Sequence, residues 1–211
     1  ILQDTDYHVL PLPKARIPII KLSHSAPPEQ PTDPTCDLGD HNQLALEHTR
    51  LLLSYAMLDP PRLRALVLFI KVWTKRRKLN SPYTGTLSSY GYALLVLFFL
   101  IHVKKPAVLP NLQRIPAGRE LSQHDIMLEG HSIYFYDDME ALRRQWHSDN
   151  TDSVGELLLD FFRYFSRDFN YTKDAIAMRT EGGLVTKESR RWPHALLGIV
   201  APVQPGSSVA G

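Results

Sequence analysis

Hydrophobic residues follow two different periods along the chain, one before and one after residue 40. Before it, RIPIIKL at 16–22 is a short β-branched run, and Thr35 to Leu38 is a second candidate strand. The residues between these runs include four prolines and no large apolar side chain, which is typical of an exposed loop. Two strands joined by such a loop predict an antiparallel pair.

After residue 40 the apolar residues recur every three or four positions, which is the period of an α-helix. We expect Asp40 to cap a first helix, and Pro60 and Pro61 to begin a second, amphipathic one. A third helix at about 88–103 is apolar nearly all round, so we expect it at the centre of a helical domain. The apolar face of the first helix carries Leu44, His48, Leu51, Leu52 and Tyr55.

The following segment is more irregular. Residues 114–151 are mostly polar, and the one strand that we expect among them is at 131–136. Ser153 and Glu156 then have the spacing of a capping box, so they predict the start of a fourth helix. This helix carries a row of aromatic residues on one side, which predicts that it packs against a core.

The end of the chain predicts a hairpin and then a loss of order. The runs AIAMR at 175–179 and LVTKE at 184–188 flank Gly182 and Gly183, which is a hairpin pattern. Residues 191–211 are rich in proline, glycine and serine, and we expect them to be disordered. Together the elements predict an α+β chain that is mostly helical.

Composition narrows the class of protein. With 211 residues, 44% hydrophobic and 22% charged, the chain is in the globular range. Its formal net charge of +2 means that any binding of nucleic acid depends on local clusters of charge. Cys36, the one cysteine, excludes an internal disulfide and favours the cytoplasm or nucleus. Residues 92–101 are too short an apolar run to span a membrane, and the start of the chain resembles the interior of a longer polypeptide.

Three segments could carry chemistry. Asp37 precedes a helix and could bind a divalent cation, while Lys71 and Lys75 are one helical turn apart and could both reach a polyphosphate. In GTLSSYGY, hydroxyls at a helix start favour anions, and Tyr90 could stack on a base. Each segment also has an ordinary structural interpretation, as a cap, a solvated helix end or a core tyrosine.

Taken in order, these segments resemble one family of enzymes. The resemblance rests on RIPIIKL, CDLGDHNQLALEHTRLL, FIKVWTKRRKLNSPYTGTLSSYGYALLVLFFL, PAVLPNLQ and SVGELLLDFFRYFSRDFNY. They are similar to the Cid/Trf-type ribonucleotidyltransferases, the poly(A) polymerases and terminal uridylyltransferases that extend RNA 3′ ends without a template. The resemblance implies the last antiparallel strands of a nucleotidyltransferase palm at 1–39 and a helical central domain at 40–190. It places a PAP-associated segment at about 152–190 and leaves 191–211 as a tail outside the family.

The resemblance also implies roles for individual residues. Asp37 matches a catalytic carboxylate that binds Mg²⁺ or Mn²⁺. Lys71 and Lys75 match lysines that neutralise the triphosphate of UTP or ATP, and Ser89 matches a hydroxyl that contacts phosphate. Tyr90 matches the tyrosine that stacks on the incoming base.

Two further positions lie in the expected first helix. Asn42 matches a residue near the ribose and the base edge. His48 stands where the family usually has Asn, so its contact with a sugar hydroxyl would differ in reach and charge.

Other departures limit what the resemblance implies. The Gly-Ser motif that precedes the family's Asp-x-Asp pair, the source of two of three metal ligands, is absent from the sequence. Asp4 and Asp6 have the spacing of that pair but lie too close to RIPIIKL to match it. PHALLGIVAPVQPGSSVAG replaces the segment that helps to choose uracil or adenine. We therefore expect a fragment of an RNA 3′-end nucleotidyltransferase that is inactive alone. Its residues fit the transfer of either a uridylyl or an adenylyl group. A noncatalytic module that binds RNA, nucleotide or a protein partner is the alternative, and a helical scaffold without a ligand is a third.

Overall fold

The computed structural model describes residues 7–14, 18–24, 35–39, 42–192 and 197–200. The chain divides into two compact units, residues 1–46 and 47–211. Among the described helices, none combines the length and the apolar character that crossing a lipid bilayer requires.

The first unit contains a three-stranded antiparallel sheet, ordered β1-β2-β3. Its strands are β1 (Tyr7–Leu12), β2 (Ile19–His24) and β3 (Thr35–Gly39). The predicted antiparallel pair is confirmed as β2 and β3, although residues 16 and 17 of the predicted strand lie outside the described residues. Strand β1 was not predicted. It is an edge strand, which is why Pro11 can lie within it.

The helical part of the chain begins with α1 (Gln43–Leu58), α2 (Pro60–Arg76) and α3 (Ser89–Phe98). The predicted third helix is confirmed, but its last turn, Phe99–Val103, is a π-helix. Helix α3 lies at the centre of the core, as its all-round apolar sequence predicted. The core around it includes Leu51, Tyr55, Leu66, Ile70, Leu94, Phe98, Leu100, Leu112 and Phe161.

The first two helices begin at polar caps. Asp59 caps α2 by accepting the backbone N–H of Arg62 at 3.2 Å. The expected cap of α1, Asp40, lies outside the described residues. The Oδ1 of Asn42 accepts the N–H of Ala45 at 3.1 Å, so Asn42 caps the first turn of α1.

The segment predicted as irregular contains more order than expected. It forms α4 (Gln123–Ile126), β4 (Met127–Leu128), β5 (His131–Ser132) and α5 (Met139–Gln145). The strand predicted at 131–136 is therefore wrong beyond Ser132, because β4 offers only two residues for pairing. The backbone N–H of Tyr136 bonds instead to the carbonyl of Leu112 at 2.8 Å.

The expected PAP-associated segment starts with α6 (Val154–Arg163), which continues as a π-helix at Tyr164–Asp168. The predicted capping box is confirmed, because Ser153 and Glu156 each accept the other's backbone N–H. The predicted hairpin is also confirmed, as antiparallel β6 (Asp174–Ala177) and β7 (Leu184–Thr186). Gly183 has a φ of +72°, and a Cβ there would overlap the ring of His102.

The end of the chain differs from the sequence prediction. After α7 (Lys187–Arg190), residues Gly198–Val200 form β8, which pairs in parallel with β6. The expectation of disorder from residue 191 is therefore wrong for β8. Ile199 pairs with Ile176 of β6. Local composition could not indicate this partner, because it lies more than twenty residues earlier in the chain.

Candidate nucleotide-binding site

Lys71 and Lys75 lie one turn apart near the end of α2, and both are exposed. Their position follows from the buried face of the helix, which carries Leu66, Ile70 and Thr74. Because the lysines follow Ile70 and Thr74 by one residue each, they share a stripe beside the buried face. Two ammonium groups on one stripe can contact the same polyphosphate.

Ser89 is the first residue of α3, and its neighbour Ser88 is the cap. The Oγ of Ser88 accepts the backbone N–H of Gly91 at 3.1 Å, so the ordinary capping role belongs to Ser88. Ser89 is left for another contact, and its Oγ accepts a hydrogen bond from the Nδ2 of Asn80 at 2.8 Å. No local sequence pattern indicated Asn80, since the contact crosses the whole connection between α2 and α3.

Tyr90 stacks on His48 of α1. Their ring centroids are 4.8 Å apart, and the ring planes differ by 26°. The His48 Nε2 and the Tyr90 hydroxyl are both buried, and neither has a hydrogen-bond partner among the described residues. Burial lowers the pKa of the His48 imidazole and raises the pKa of the Tyr90 phenol, so both rings are held neutral at pH 7.

Buried polar atoms without partners are rare in folded proteins and costly. Two of them lie here on rings that touch each other, and Tyr90 belongs to the first turn of α3. The phenol hydroxyl can donate or accept, and a neutral imidazole nitrogen can do either according to its tautomer. The pair therefore offers hydrogen bonds that the chain itself does not use.

Asn42 and Asp37 lie in the first unit. Because the Asn42 Oδ1 is engaged in the cap of α1, its NH₂ group is the part of the side chain that could reach a ligand. Asp37 is exposed on β3, directly opposite Lys21 of β2. Asp37 and Lys21 line a surface cavity of about 360 Å³ together with His8 and Leu10.

A larger cavity, of about 540 Å³, is lined mainly by apolar side chains, from α2, α3, α6 and the segments that follow them. None of the predicted site residues lines it. It therefore adds nothing to the prediction of nucleotide binding.

Comparison with known proteins identifies the family. A model described as "Cid1 family poly A polymerase" matches residues 153–205. The terminal uridylyltransferase cid1 of Schizosaccharomyces pombe is 42% identical over 184 residues, which is 87% of this chain and 43% of that protein. The chain belongs to the Cid1 family.

A second relative and a solved structure show the same relationship. The poly(A) RNA polymerase cid13 of S. pombe is 32% identical over 192 residues, which cover 90% of this chain and 31% of that protein. The solved structure of Cid1 in complex with the UTP analogue UMPNPP is 38% identical, with a TM-score of 0.84. It covers 99% of this chain and 63% of the solved chain. The chain thus spans less than two thirds of the length of these relatives.

The similarity to Cid1 confirms the predicted fold class, α+β and mostly helical, with part of a palm joined to a helical domain. The family model extends past the predicted boundary at residue 190, and the matched part includes β8. The structure brings His48 and Tyr90 into contact and aligns Lys71 with Lys75.

Divalent metal ions are expected in Cid1-family chemistry, but the described residues do not form a complete metal site. They contain no group of three or more His, Cys, Asp or Glu side chains that could hold an ion. Asp37 offers a single carboxylate, with the ammonium group of Lys21 as its cross-strand neighbour. Asp37 by itself does not fit a resident metal pair.

Proposed function

We propose that this chain is the nucleotide-binding part of a template-independent RNA 3′-end nucleotidyltransferase. In the reaction of that class, the RNA 3′ hydroxyl attacks the α-phosphorus of a nucleoside triphosphate, and pyrophosphate leaves. The proposal extends to this chain what the names of its relatives say of them, terminal uridylyltransferase and poly(A) RNA polymerase. UTP and ATP are therefore both candidate substrates, and the RNA 3′ end is the candidate acceptor.

The first turn of α3 is the observation that carries the proposal. It presents the Ser89 hydroxyl, held by Asn80, and next to it the stacked ring of Tyr90 with its unpaired hydroxyl. A hydroxyl beside the free N–H groups of a helix start suits a phosphate, and an aromatic ring suits a base. Lys71 and Lys75 add two exposed positive charges for the triphosphate.

For each unit separately, we propose a nucleotide contact: in the second unit through the ring nitrogen of His48, and in the first unit through the NH₂ group of Asn42. Asp37 is proposed as one ligand of the catalytic Mg²⁺ or Mn²⁺. Since one carboxylate does not hold two ions, we propose that the 211-residue chain binds nucleotide but does not transfer it. The cytoplasm or the nucleus is the proposed location, because a single cysteine needs no oxidising compartment.

Incubation of the chain with Mg²⁺, each nucleoside triphosphate and a 5′-labelled RNA primer tests the catalytic part. We expect no extension of the primer, together with saturable binding of UTP or ATP in a parallel titration. Extension by the chain alone would contradict the assignment of Asp37 as an incomplete metal site. The absence of both extension and nucleotide binding would contradict the whole proposal and favour a scaffold without a ligand.

A noncatalytic module that binds RNA is the second candidate. The exposed basic residues at the end of α2 favour it, namely Lys71, Lys75, Arg76, Arg77 and Lys78. Such a module would bind single-stranded RNA with a steep dependence on salt and would show no competition between RNA and UTP. Competition by UTP at the same site favours the transferase instead.

A further inference from the structure

Asn80 donates a hydrogen bond to Ser89 across the connection between α2 and α3. The Nδ2 to Oγ distance is 2.8 Å, and both residues are half-buried. Neither the sequence pattern nor the family resemblance drew attention to Asn80. Its contact with Ser89 is not needed for the cap of α3, because Ser88 supplies that cap.

The backbone around Asn80 is held by both helices. The N–H of Leu79 donates to the carbonyl of Thr74 at 2.9 Å, which ties the turn to the end of α2. The hydroxyl of Tyr92 donates to the carbonyl of Leu79, also at 2.9 Å, which ties the same turn to α3. Thr74 is fully buried, so the carbonyl that anchors the turn belongs to the packed interior. The carboxamide of Asn80 is thus held at a defined place relative to Ser89.

The direction of this hydrogen bond determines which further hydrogen bonds the Ser89 hydroxyl can make. A serine hydroxyl has one proton to donate and two lone pairs that accept, whereas a carboxamide nitrogen only donates. The N–H of Asn80 therefore occupies a lone pair of Oγ and leaves the hydroxyl proton for another partner. A phosphate oxygen, which only accepts at neutral pH, is the partner that this arrangement suits.

We propose that Asn80 is a positioning residue that orients the Ser89 hydroxyl as a donor to the nucleotide triphosphate. This inference rests on the proposed function and adds a residue to it. Asn80 acts through Ser89 and does not itself touch the nucleotide. Its effect should therefore depend on the phosphates and disappear when Ser89 is removed.

Two substitutions separate the direction of the hydrogen bond from its mere presence. Asn80→Ala removes the donor, and we expect the affinity for inorganic tripolyphosphate and for UTP to fall about two- to tenfold. Asn80→Asp reverses the bond, because a carboxylate accepts the Ser89 proton and turns lone pairs toward the phosphate. We expect a loss of more than about tenfold, since charge-assisted hydrogen bonds are the stronger ones.

The experiment is calorimetric titration of the full chain with tripolyphosphate and with UTP, for the unaltered protein, both Asn80 variants, Ser89→Ala and the pair Asn80→Ala with Ser89→Ala. Gln145→Glu, at an exposed position of α5, is the control for added negative charge. Thermal unfolding of every variant reports on the fold. We expect the Asn80→Ala change to have no further effect once Ser89 is alanine.

The outcomes separate this inference from the function on which it rests. Binding by the unaltered chain that Asn80→Asp leaves unchanged would overturn the role of Asn80 and keep the proposed function. A further loss when Asn80→Ala is added to Ser89→Ala would also overturn it, because Asn80 would then act independently of Ser89. Failure of the unaltered chain to bind either probe would overturn both.

Discussion

The imidazole of His48 stacks on the ring of Tyr90, at 4.8 Å between centroids, and each ring carries a buried polar atom without a partner among the described residues. One residue is on α1 and the other is at the start of α3. The stack costs stability through its unpaired atoms, and under the proposed function these atoms are the hydrogen-bonding groups that contact a nucleotide. This trade of stability for binding can be tested by substitution.

Tyr90→Phe should raise the free energy of unfolding by about 1 kcal/mol, because it removes the buried hydroxyl and keeps the ring. Tyr90→Ala should lower it, because the ring is lost from a partly buried position. For UTP we expect the larger loss of affinity in Tyr90→Ala, since only that variant loses the stacking surface. Chemical denaturation and calorimetry measure the two effects. A lower stability for Tyr90→Phe would mean that the hydroxyl has a partner in the folded chain.

The stability of the chain should fall in acid through His48. Burial lowers the pKa of His48, so its imidazole binds a proton less readily in the folded chain than in the unfolded chain, where the pKa is about 6.5. Stability is therefore at its plateau above about pH 6.5 and decreases as the pH falls below that value. His48→Asn should make the acid loss of melting temperature smaller.

His102 contributes to the same pH dependence, so its variant is compared with that of His48. Its pKa is also lowered, mainly by burial and further by the positive charges of Lys105 and Arg114. His48→Asn should therefore remove only part of the acid sensitivity, and His102→Asn another part. Melting temperatures between pH 5 and pH 8 measure both. A pH profile unchanged in His48→Asn would contradict the buried, neutral state of this ring.

Lys71→Ala and Lys75→Ala should each weaken the binding of UTP by about tenfold, because each removes a charged donor to the triphosphate. The binding of uridine should change little, since the nucleoside has no phosphate. Arg64→Ala removes an exposed cation from an earlier turn of the same helix and serves as the matched control. Equal effects of all three variants on UTP would indicate general electrostatic attraction instead of a site at the end of α2.

Asn42 has two separable roles, and two substitutions distinguish them. Asn42→Ala should cost about 1 kcal/mol of stability, because the cap of α1 is lost. Asn42→Asp keeps a capping oxygen but removes the NH₂ group, so we expect near-normal stability and weaker binding of UTP. Denaturation and calorimetry provide both quantities. Unchanged UTP binding in Asn42→Asp would restrict Asn42 to its capping role.

The sequence predicted those parts of the fold in which local pattern and local structure coincide. The period of α2, the capping box at Ser153 and the hairpin at Gly183 are local signals, and the structure confirms all three. Elements stabilised by distant partners were missed. Strand β8 depends on its pairing with β6, more than twenty residues earlier. Helix α5 is short and buries only Met139 and Leu142, which are too few for a helical period to be recognised.

The candidate site divides in the same way. The alignment of Lys71 with Lys75 follows from helical spacing and was predicted from the sequence. The contacts of Asn80 with Ser89 and of His48 with Tyr90 join different elements, so no periodicity could indicate them. His48 lies on the expected apolar face of α1, but its stacking partner depends on how α3 packs.

The most direct test of the proposed nucleotide site is a calorimetric titration of the unaltered chain with Mg·UTP and Mg·ATP, repeated with the Lys71→Ala, Lys75→Ala double variant. We predict saturable binding of one nucleotide per chain, and a loss of more than about tenfold in the double variant at an unchanged melting temperature. Absence of binding, or equal binding by the double variant, would contradict a triphosphate site at the end of α2.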